Sequence, residues 1–420
     1  MSLLSERWLY LPMQVITREL DAKLLLTYYA VKQNYSVLLG KQKKIYENAE
    51  LLPKGIFLFK GNSGGGGAKK YKPIVKKLGH AAVELDEEAL FFDEDRYLQK
   101  RTDEKDYEIL DQVYCWGKFQ RDTLVKAYPQ FKEKFHLTGH PRFDLLLKKF
   151  RSLYSDDVER IKKQHGDFIL INTRFTSYNR KGGFGVGKDD MQKLYEHFIE
   201  MIKELSPKYP NLNIVIRPHP GENCDSYREE LSNCKNVFVA HEGSVVKWIL
   251  ASKLVIHNGC TTGIETFLLD RPVISYMPFT SEEIDEDLPN EVSYKAFTIS
   301  DLFSFIDSLE DGKMNHIEEQ QQINERKTIL SQHYEAMDEN YAYEKIIHLL
   351  DKISLEGESS SDNSFLQNNP LRQRGPAELE FTEEQIITFF DKLNKIEKSE
   401  NKLIVRRLAF NLFEIKPDHI

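Results

Sequence analysis

Short apolar runs alternate with amphipathic stretches over most of this chain. Apolar runs bounded by turn residues read as buried strands, and the helix-periodic stretches between them as covering helices. In the first part the pattern predicts strands at Trp8–Ile16, Ser36–Leu39, Gly55–Phe59, Ala81–Leu85, Gln112–Trp116 and His136–Thr138. Between the first two, Glu19–Gln33 places Leu20, Leu24, Leu25, Tyr28 and Val31 on one helix face. Gly139 and Pro141 then break the pattern, and Phe143–Tyr154 reads as a helix leading out. A second series starts at Asp167, with strands at Phe168–Asn172, Asn213–Arg217, Val237–Ala240, Leu254–His257 and Pro272–Tyr276. Its helices are Met191–Leu205, Ser244–Ala251 and Thr262–Leu269, and those within Ile317–Asp351 close it. The alternation is that of a parallel sheet covered by helices, given twice, so the expected domains are 1–150 and 151–353.

Composition changes at Glu356–Glu378, where a serine run, Asn-Asn-Pro and Gly-Pro mark a linker over 354–380. Residues 381–420 read as a helical tail of two small helices, Thr382–Lys395 and Lys402–Phe413. The second mixes apolar residues with Lys402, Arg406 and Arg407. It fits a helix packed on the domains, or one that touches a membrane surface or an assembly partner.

A net charge of −8 with dispersed basic residues gives no case for a nucleic-acid partner. Cys115, Cys224, Cys234 and Cys260 form no Cys-x-x-Cys pair, and no histidine cluster has zinc spacing. They read as reduced thiols of a cytoplasmic protein. The start MSLLSERWLYLPMQV is not a signal peptide, and no apolar run approaches the roughly 18–20 residues of a membrane span. Work on lipid-linked material would make the protein a peripheral visitor at the inner face of the membrane.

In such sheets ligands bind at the carboxyl ends of the strands. Three ends in the second series stand out. Asn213–Arg217 runs into Pro218-His219-Pro220, and the prolines hold Arg217 and His219 at a fixed edge. Histidine there can hydrogen-bond a phosphate, and arginine a phosphate or a base, although a structural turn also explains the motif. Glu242 ends the next strand, where a carboxylate can accept from ribose hydroxyls or charge a helix start. Leu254–His257 leads into Asn258-Gly259-Cys260-Thr261-Thr262, a glycine turn in which Thr261 or Thr262 can cap a helix whose N–H groups suit a phosphate. An ordinary capped helix is the other reading, and Glu265 in its first turn fits capping.

His-Pro, a carboxylate 23 residues after His219, and a hydroxyl pair 42 and 43 residues after it form an ordered set. The set resembles the donor half of bacterial sialyltransferases, with Thr261-Thr262 in place of their paired-serine motif. It is also similar to the Kdo transferases of capsule and O-antigen synthesis. More broadly, the chain resembles the surface carbohydrate (polysaccharide) biosynthesis protein family. The resemblance covers most of residues 8–350 through short motifs. It implies an α/β protein of the GT-B fold, with two Rossmann-like domains facing each other across a cleft. It further implies a glycosyltransferase that moves a 3-deoxy-ulosonic sugar, Kdo or sialic-acid-like, from a CMP-sugar donor to a glycan or lipid-linked glycan. Arg217, His219 and Pro220 would then meet base and phosphate, Glu242 the ribose, and Gly259, Thr261 and Thr262 the phosphate.

In the first domain, Glu84-Leu85-Asp86-Glu87-Glu88-Ala89 follows a strand, and adjacent carboxylates can raise one pKa to make a general base. The sialyltransferases have a paired-acid-plus-glycine motif there. Ala89 stands where that glycine belongs, which leaves open whether Glu87 or Glu88 is the base, or whether the segment is a solvated acidic loop. Retaining Kdo transferases use an aspartate just after the first strand of the second domain. Ile171–Asn179 has no carboxylate, and Asp189 and Asp190 lie beyond a glycine-rich stretch, so direct inverting displacement is the preferred reading. Gly61–Gly67 lacks the Lys-Ser/Thr ending of a phosphate loop and reads as an acceptor-side loop. Arg18 and Glu19, with Asp21, line the acceptor side, or Glu19 simply favours the start of its helix. No Asp-x-Asp metal site stands at a strand end, so metal independence and no cofactor are expected. A CDP-alcohol-dependent polyol-phosphate transferase, a UDP-sugar epimerase and a non-enzymatic assembly scaffold are the alternatives.

Overall fold

The computed structural model describes residues 7–61, 67–90, 93–184, 189–281, 284, 287–311, 320–335, 340–355 and 380–418. Residues 62–66 of the glycine-rich segment and the linker Glu356–Glu378 lie outside the described residues. The strands are β1 (Arg7–Met13), β2 (Tyr35–Lys41), β3 (Gly55–Phe59), β4 (Ala81–Leu85), β5 (Gln112–Cys115), β6 (Phe135–Leu137), β7 (Phe168–Asn172), β8 (Asn179–Arg180) and β9 (Gly183–Phe184). They continue with β10 (Asn213–Arg217), β11 (Val237–Val239), β12 (Leu254–His257), β13 (Val273–Tyr276), β14 (Tyr294–Ala296), β15 (Leu403–Ala409) and β16 (Leu412–Pro417). The central strands are buried on both faces, as in β3 and β7, so their sequences are unbroken apolar runs rather than alternating ones.

The chain divides into two units, residues 1–153 with 331–420, and residues 154–330. In the first unit the sheet order is β15-β16-β2-β1-β3-β4-β5-β6. From β2 to β6 every pairing is parallel, and the order reverses between β1 and β3. In the second unit the order is β11-β10-β7-β12-β13-β14, all parallel. Counted within that unit this is 3-2-1-4-5-6, the doubly wound nucleotide-binding order, with its switch point between β7 and β12.

Two expectations are corrected by the path of the chain after residue 330. Residues 331–353 belong with the first unit, not with the second series. The helix Ala342–Asp351 packs on the helix Ile16–Lys32, with Tyr343 stacked on Tyr29 at 3.8 Å. The buried Asp144 carboxylate accepts from the Ala342 and Tyr343 N–H groups, both at 2.9 Å, and so caps this returning helix. The tail is not two helices. Glu383–Glu397 is a helix with a Thr382–Gln385 capping box, as its pattern predicts. Lys402–Phe413, however, falls in a β-hairpin whose strand β16 pairs antiparallel with β2. Ile404 and Val405 are β-branched, and Asn411 takes φ of 53° to make the turn. Both features suit a hairpin, and pairing with β2 decides for the strand over the expected helix.

Phe143–Tyr154 is likewise not one helix but a short turn of helix at Pro141–Asp144 followed by a 3-10 segment, Lys148–Tyr154. No helix among the described residues is long and apolar enough to cross a membrane.

Candidate functional site

In the second unit, four strands end side by side in the order β11, β10, β7, β12. After β7 comes Thr173-Arg174, which sequence reasoning passed over because it looked for a carboxylate there. The Arg174 guanidinium donates from Nε to the Asn258 carbonyl at 2.6 Å and from Nη2 to Asn258 Oδ1 at 2.9 Å, and it also reaches the Ile284 carbonyl. It thereby ties β7 to the turn after β12, across the switch point. Gly259 has φ of 52°, and a Cβ there would stand 2.7 Å from Arg174 Nη2. Both the conformation and the close approach require glycine. The Gly259 N–H donates to Asn290 Oδ1 at 2.9 Å, and the Asn258 amide donates to the Tyr276 carbonyl at 2.9 Å.

His257 below this turn is fully buried and is pushed down to about 3 by burial and by Arg174. Its Nδ1 accepts from the Cys260 N–H at 3.3 Å, so in the neutral ring Nε2 carries the hydrogen and meets Ser293 Oγ at 2.8 Å. A Cβ on Gly263 would come to 2.3 Å from that nitrogen, so the helix Thr261–Leu268 sits hard against the ring. The N-cap of that helix is Cys260, without a side-chain cap, and Thr261 and Thr262 are its first two residues. Neither threonine is the N-cap, and Glu265 lies one turn in. It is buried on the inner face of the helix, where its charge acts on Arg217.

At the end of β10 the organising residue is Glu222, also missed from sequence. Its carboxylate is 1 % exposed and accepts from the Thr173 hydroxyl at 2.9 Å and from the Phe175 and His219 N–H groups, both at 3.0 Å. The Tyr227 hydroxyl donates to it as well. Burial pushes Glu222 up from the usual carboxylate range, and these donors oppose that shift. His219 is exposed. Its Nδ1 accepts from the Gly221 N–H at 3.2 Å and lies 3.0 Å from the Thr176 hydroxyl. An N–H pointed at Nδ1 makes that nitrogen an acceptor, so in the neutral ring the hydrogen is on Nε2, as donation to a phosphate oxygen requires. Pro220 is exposed beside it.

Arg217 is placed differently from the expectation. It is buried, and its guanidinium donates to the Glu242 carbonyl at 3.1 Å and to the Gly243 carbonyl. Burial pushes it down to about 10 against the charges of Glu265 and Glu242. A guanidinium buried at a strand end needs acceptors, and these two carbonyls supply them. Its placement is that of a clamp on the 242–243 turn. The Trp248 indole donates to the same Glu242 carbonyl at 2.9 Å, and the Glu242 side chain is exposed.

In the first unit, the carboxyl ends of β1, β3, β4 and β6 carry a dense charge cluster. Glu19, fully buried, accepts from the Gln14 and Val15 N–H groups at 2.9 and 3.0 Å and so closes the start of its helix. Glu87 is 1 % exposed, with Lys23 Nζ at 3.3 Å and His140 Nε2 at 3.2 Å. His140 Nδ1 accepts from the Arg142 N–H at 3.0 Å, which turns the neutral ring's N–H toward Glu87. Burial alone would raise Glu87, but Lys23, His140 and Arg142 overcome it and hold the carboxyl well below the ordinary range. Glu19 moves the other way, raised by burial and then by the charge of Glu87. Lys60, also buried, is lowered by burial and bonds to the Gln14 side chain.

Glu88 is the accessible acid, its side chain 45 % exposed and paired with Arg18 at 2.6 Å and Arg101 at 3.0 Å. Burial acts upward on Glu88, yet Arg18 and Arg101 bring it below the usual range. The structure therefore brings Arg18, Glu19, Glu87 and Glu88 together. It adds Lys23, Lys60, His140 and Arg142, which went unnoticed. One signal was present: His140-Pro141 repeats after β6 the His-Pro dipeptide seen after β10. Among the described residues no group of His, Cys, Asp and Glu is arranged to hold a metal ion.

No family model and no curated protein matches the sequence. Solved structures do. The chain is similar to the wall teichoic acid polymerase TagF at 12% identity and TM-score 0.52, over 83% of this chain and 88% of that one. It is similar to the UDP-GlcNAc 2-epimerase of Methanocaldococcus jannaschii at 12% identity and TM-score 0.52, over 82% of this chain and 99% of that one. The UDP-GlcNAc 2-epimerase of Neisseria meningitidis gives 12% identity and TM-score 0.51, over 83% and 100%. At such identities the likeness concerns the fold, and with the two sheet orders it identifies an α/β protein of the GT-B type, built from two Rossmann-like units.

Proposed function

We propose that the protein is a nucleotide-sugar-dependent glycosyltransferase of surface polysaccharide synthesis that holds its donor nucleotide at the carboxyl edge of the second sheet. The observation that carries the reading is the built switch point between β7 and β12, where Arg174 backs the Gly259 turn and the helix Thr261–Leu268 begins. His219 Nε2 donates to a phosphate oxygen, and Thr261 and Thr262 bring the helix N-terminus to it. Arg217 acts by holding the turn that presents Glu242 to the ribose. The motif resemblance makes the donor a CMP-sugar carrying a 3-deoxy-ulosonic residue, and the acceptor a glycan or lipid-linked glycan. Glu88, the accessible acid, takes the acceptor hydroxyl proton as that oxygen attacks the anomeric carbon and CMP departs. Activity is expected to survive excess chelator.

Incubation with a panel of CMP-sugars, CDP-alcohols and UDP-sugars tests this, with nucleotide release and nucleotide binding both followed. CMP release that falls at least tenfold in His219→Ala supports it. No CMP binding and no CMP release from any donor sinks it.

A UDP-sugar epimerase is the second reading. It is favoured by the cluster of acidic and basic groups at the strand ends of the first unit, where Glu87 stands 3.3 Å from Lys23 and 3.2 Å from His140. The likeness to UDP-GlcNAc 2-epimerases fits it. Such an enzyme converts its sugar with no acceptor present. Transfer of phosphorus with a polyol would instead mark the CDP-alcohol reaction, which the likeness to TagF fits.

A further inference from the structure

The helix Gly67–Lys77 of the first unit carries five lysines and no acid, in a chain whose net charge is −8. Three of the five are neutralised: Lys69 by Asp103, Lys72 by Glu84 and Asp106, and Lys76 by Asp111 at 2.8 Å. Lys70 and Lys77 have no acidic partner among the described residues. They stand at the two ends of an exposed stripe, Lys70-Pro73-Ile74-Lys77, whose spacing of three, four and seven residues is one face of a helix. Ile74 in its middle is 40 % exposed.

Leu51, 39 % exposed, stands on the adjoining 3-10 turn Ala49–Leu51. That turn is held to the end of the helix by His80, whose Nε2 meets the Ala49 carbonyl at 3.1 Å. Lys54 lies over Gly79 just beyond the helix, and Lys43 is exposed on the helix Gln42–Glu47 that packs alongside. Two exposed large apolar side chains thus stand on elements that both pack with the helix Gln42–Glu47.

We propose that this face is a docking surface for an anionic lipid bilayer. Charge complementarity and shape select that occupant. The apolar part is two exposed side chains and a proline, far short of the roughly 1,200–2,000 Å² that a stable protein interface buries. Lysine is depleted from protein interfaces, whereas at a membrane its stem lies along the apolar boundary and its ammonium reaches the phosphates. Glu47 lies 3.9 Å from Lys43, and among the described residues neither it nor Glu50 pairs with Lys70 or Lys77. The inference is independent of the nucleotide site, which belongs to the other unit.

Co-sedimentation of the full chain with phosphatidylglycerol–phosphatidylcholine vesicles, against phosphatidylcholine alone, tests it. The chain is expected to partition at least tenfold better onto the anionic vesicles at low salt and to leave them at high salt. K70E/K77E and, separately, I74E are each expected to remove at least tenfold of that partitioning with an unchanged melting temperature, since all three positions face solvent. Equal partitioning onto both vesicle types overturns the proposal. Retention by K70E/K77E equal to that of the unaltered chain also overturns it.

Discussion

Replacing Gly259 by alanine isolates what the switch point of the second unit requires. Two costs arise. A non-glycine residue held at φ of 52° loses about 1–2 kcal/mol relative to glycine. The new Cβ would also stand 2.7 Å from Arg174 Nη2, 3.0 Å from Cζ and 3.1 Å from Nε, so the guanidinium must lift. Lifting it breaks at least one charge-assisted hydrogen bond to Asn258, each worth about 1.5–3 kcal/mol net. The sum predicts about 2.5–5 kcal/mol of destabilisation. Gly79→Ala is the internal control. Its φ is also positive, at 83°, but its Cβ meets only the flexible end of Lys54 at 3.2 Å, so about 1–2 kcal/mol is expected. Denaturant unfolding measures both, and titration with cytidine and uridine nucleotides reads the site, where Gly259→Ala should cost at least tenfold in affinity. If the two alanine variants lose equal stability and both keep nucleotide binding, the account of Arg174 as the backing of this turn is refuted.

Glu222→Gln turns an amide NH2 toward at least one of the donors that the carboxylate accepts. It should cost about 2–4 kcal/mol of stability and weaken nucleotide binding, and loss of neither counts against its role in holding His219. Lys72→Met leaves Glu84 and Asp106 buried without their cation, for which about 3–5 kcal/mol is expected. Adding Glu84→Gln and Asp106→Asn should recover much of that loss in the same unfolding measurement. Burial pushes Asp144 up to about 7, whereas in the unfolded chain an aspartate titrates near 4. Its contribution is therefore fully present below about pH 4, and stability falls as pH rises through about 7. The window is worth at most about 4 kcal/mol. Asp144→Asn holds no titrating proton and should flatten that slope in melting temperatures taken from pH 5 to 8.

The sheets were legible because their strands are buried on both faces. β3, β4, β7, β10 and β12 have the bounds that the apolar runs predict, since a polar residue or a proline follows each run. The strand ends were legible as places but not as partnerships. Arg217 is claimed by carbonyls 25 and 26 residues further on, and Glu87 by a histidine 53 residues away. Nothing local in the sequence announces such pairings. Glu222 escaped because a glutamate in a turn reads as solvated until four donors are found around it. Lys23 escaped because it lies beside Leu24 and Leu25, and a lysine beside a leucine run reads as the wet face of its helix, yet it is only 2 % exposed. The tail failed for a different reason. Its apolar and basic residues fit a helical face by spacing, and only pairing with β2 decides for the strand.

The hairpin that closes the first sheet sets an order of events during synthesis. Residues 154–330 are continuous, and once they have left the ribosome that unit holds every strand of its sheet. The other unit is interrupted by it, and β2 stays an open edge until residues 412–417 arrive to pair with it. Of the two units, the one begun earlier is thus completed later, and a ribosome that stalls between residues 330 and 412 leaves a finished second unit joined to a sheet with a bare margin.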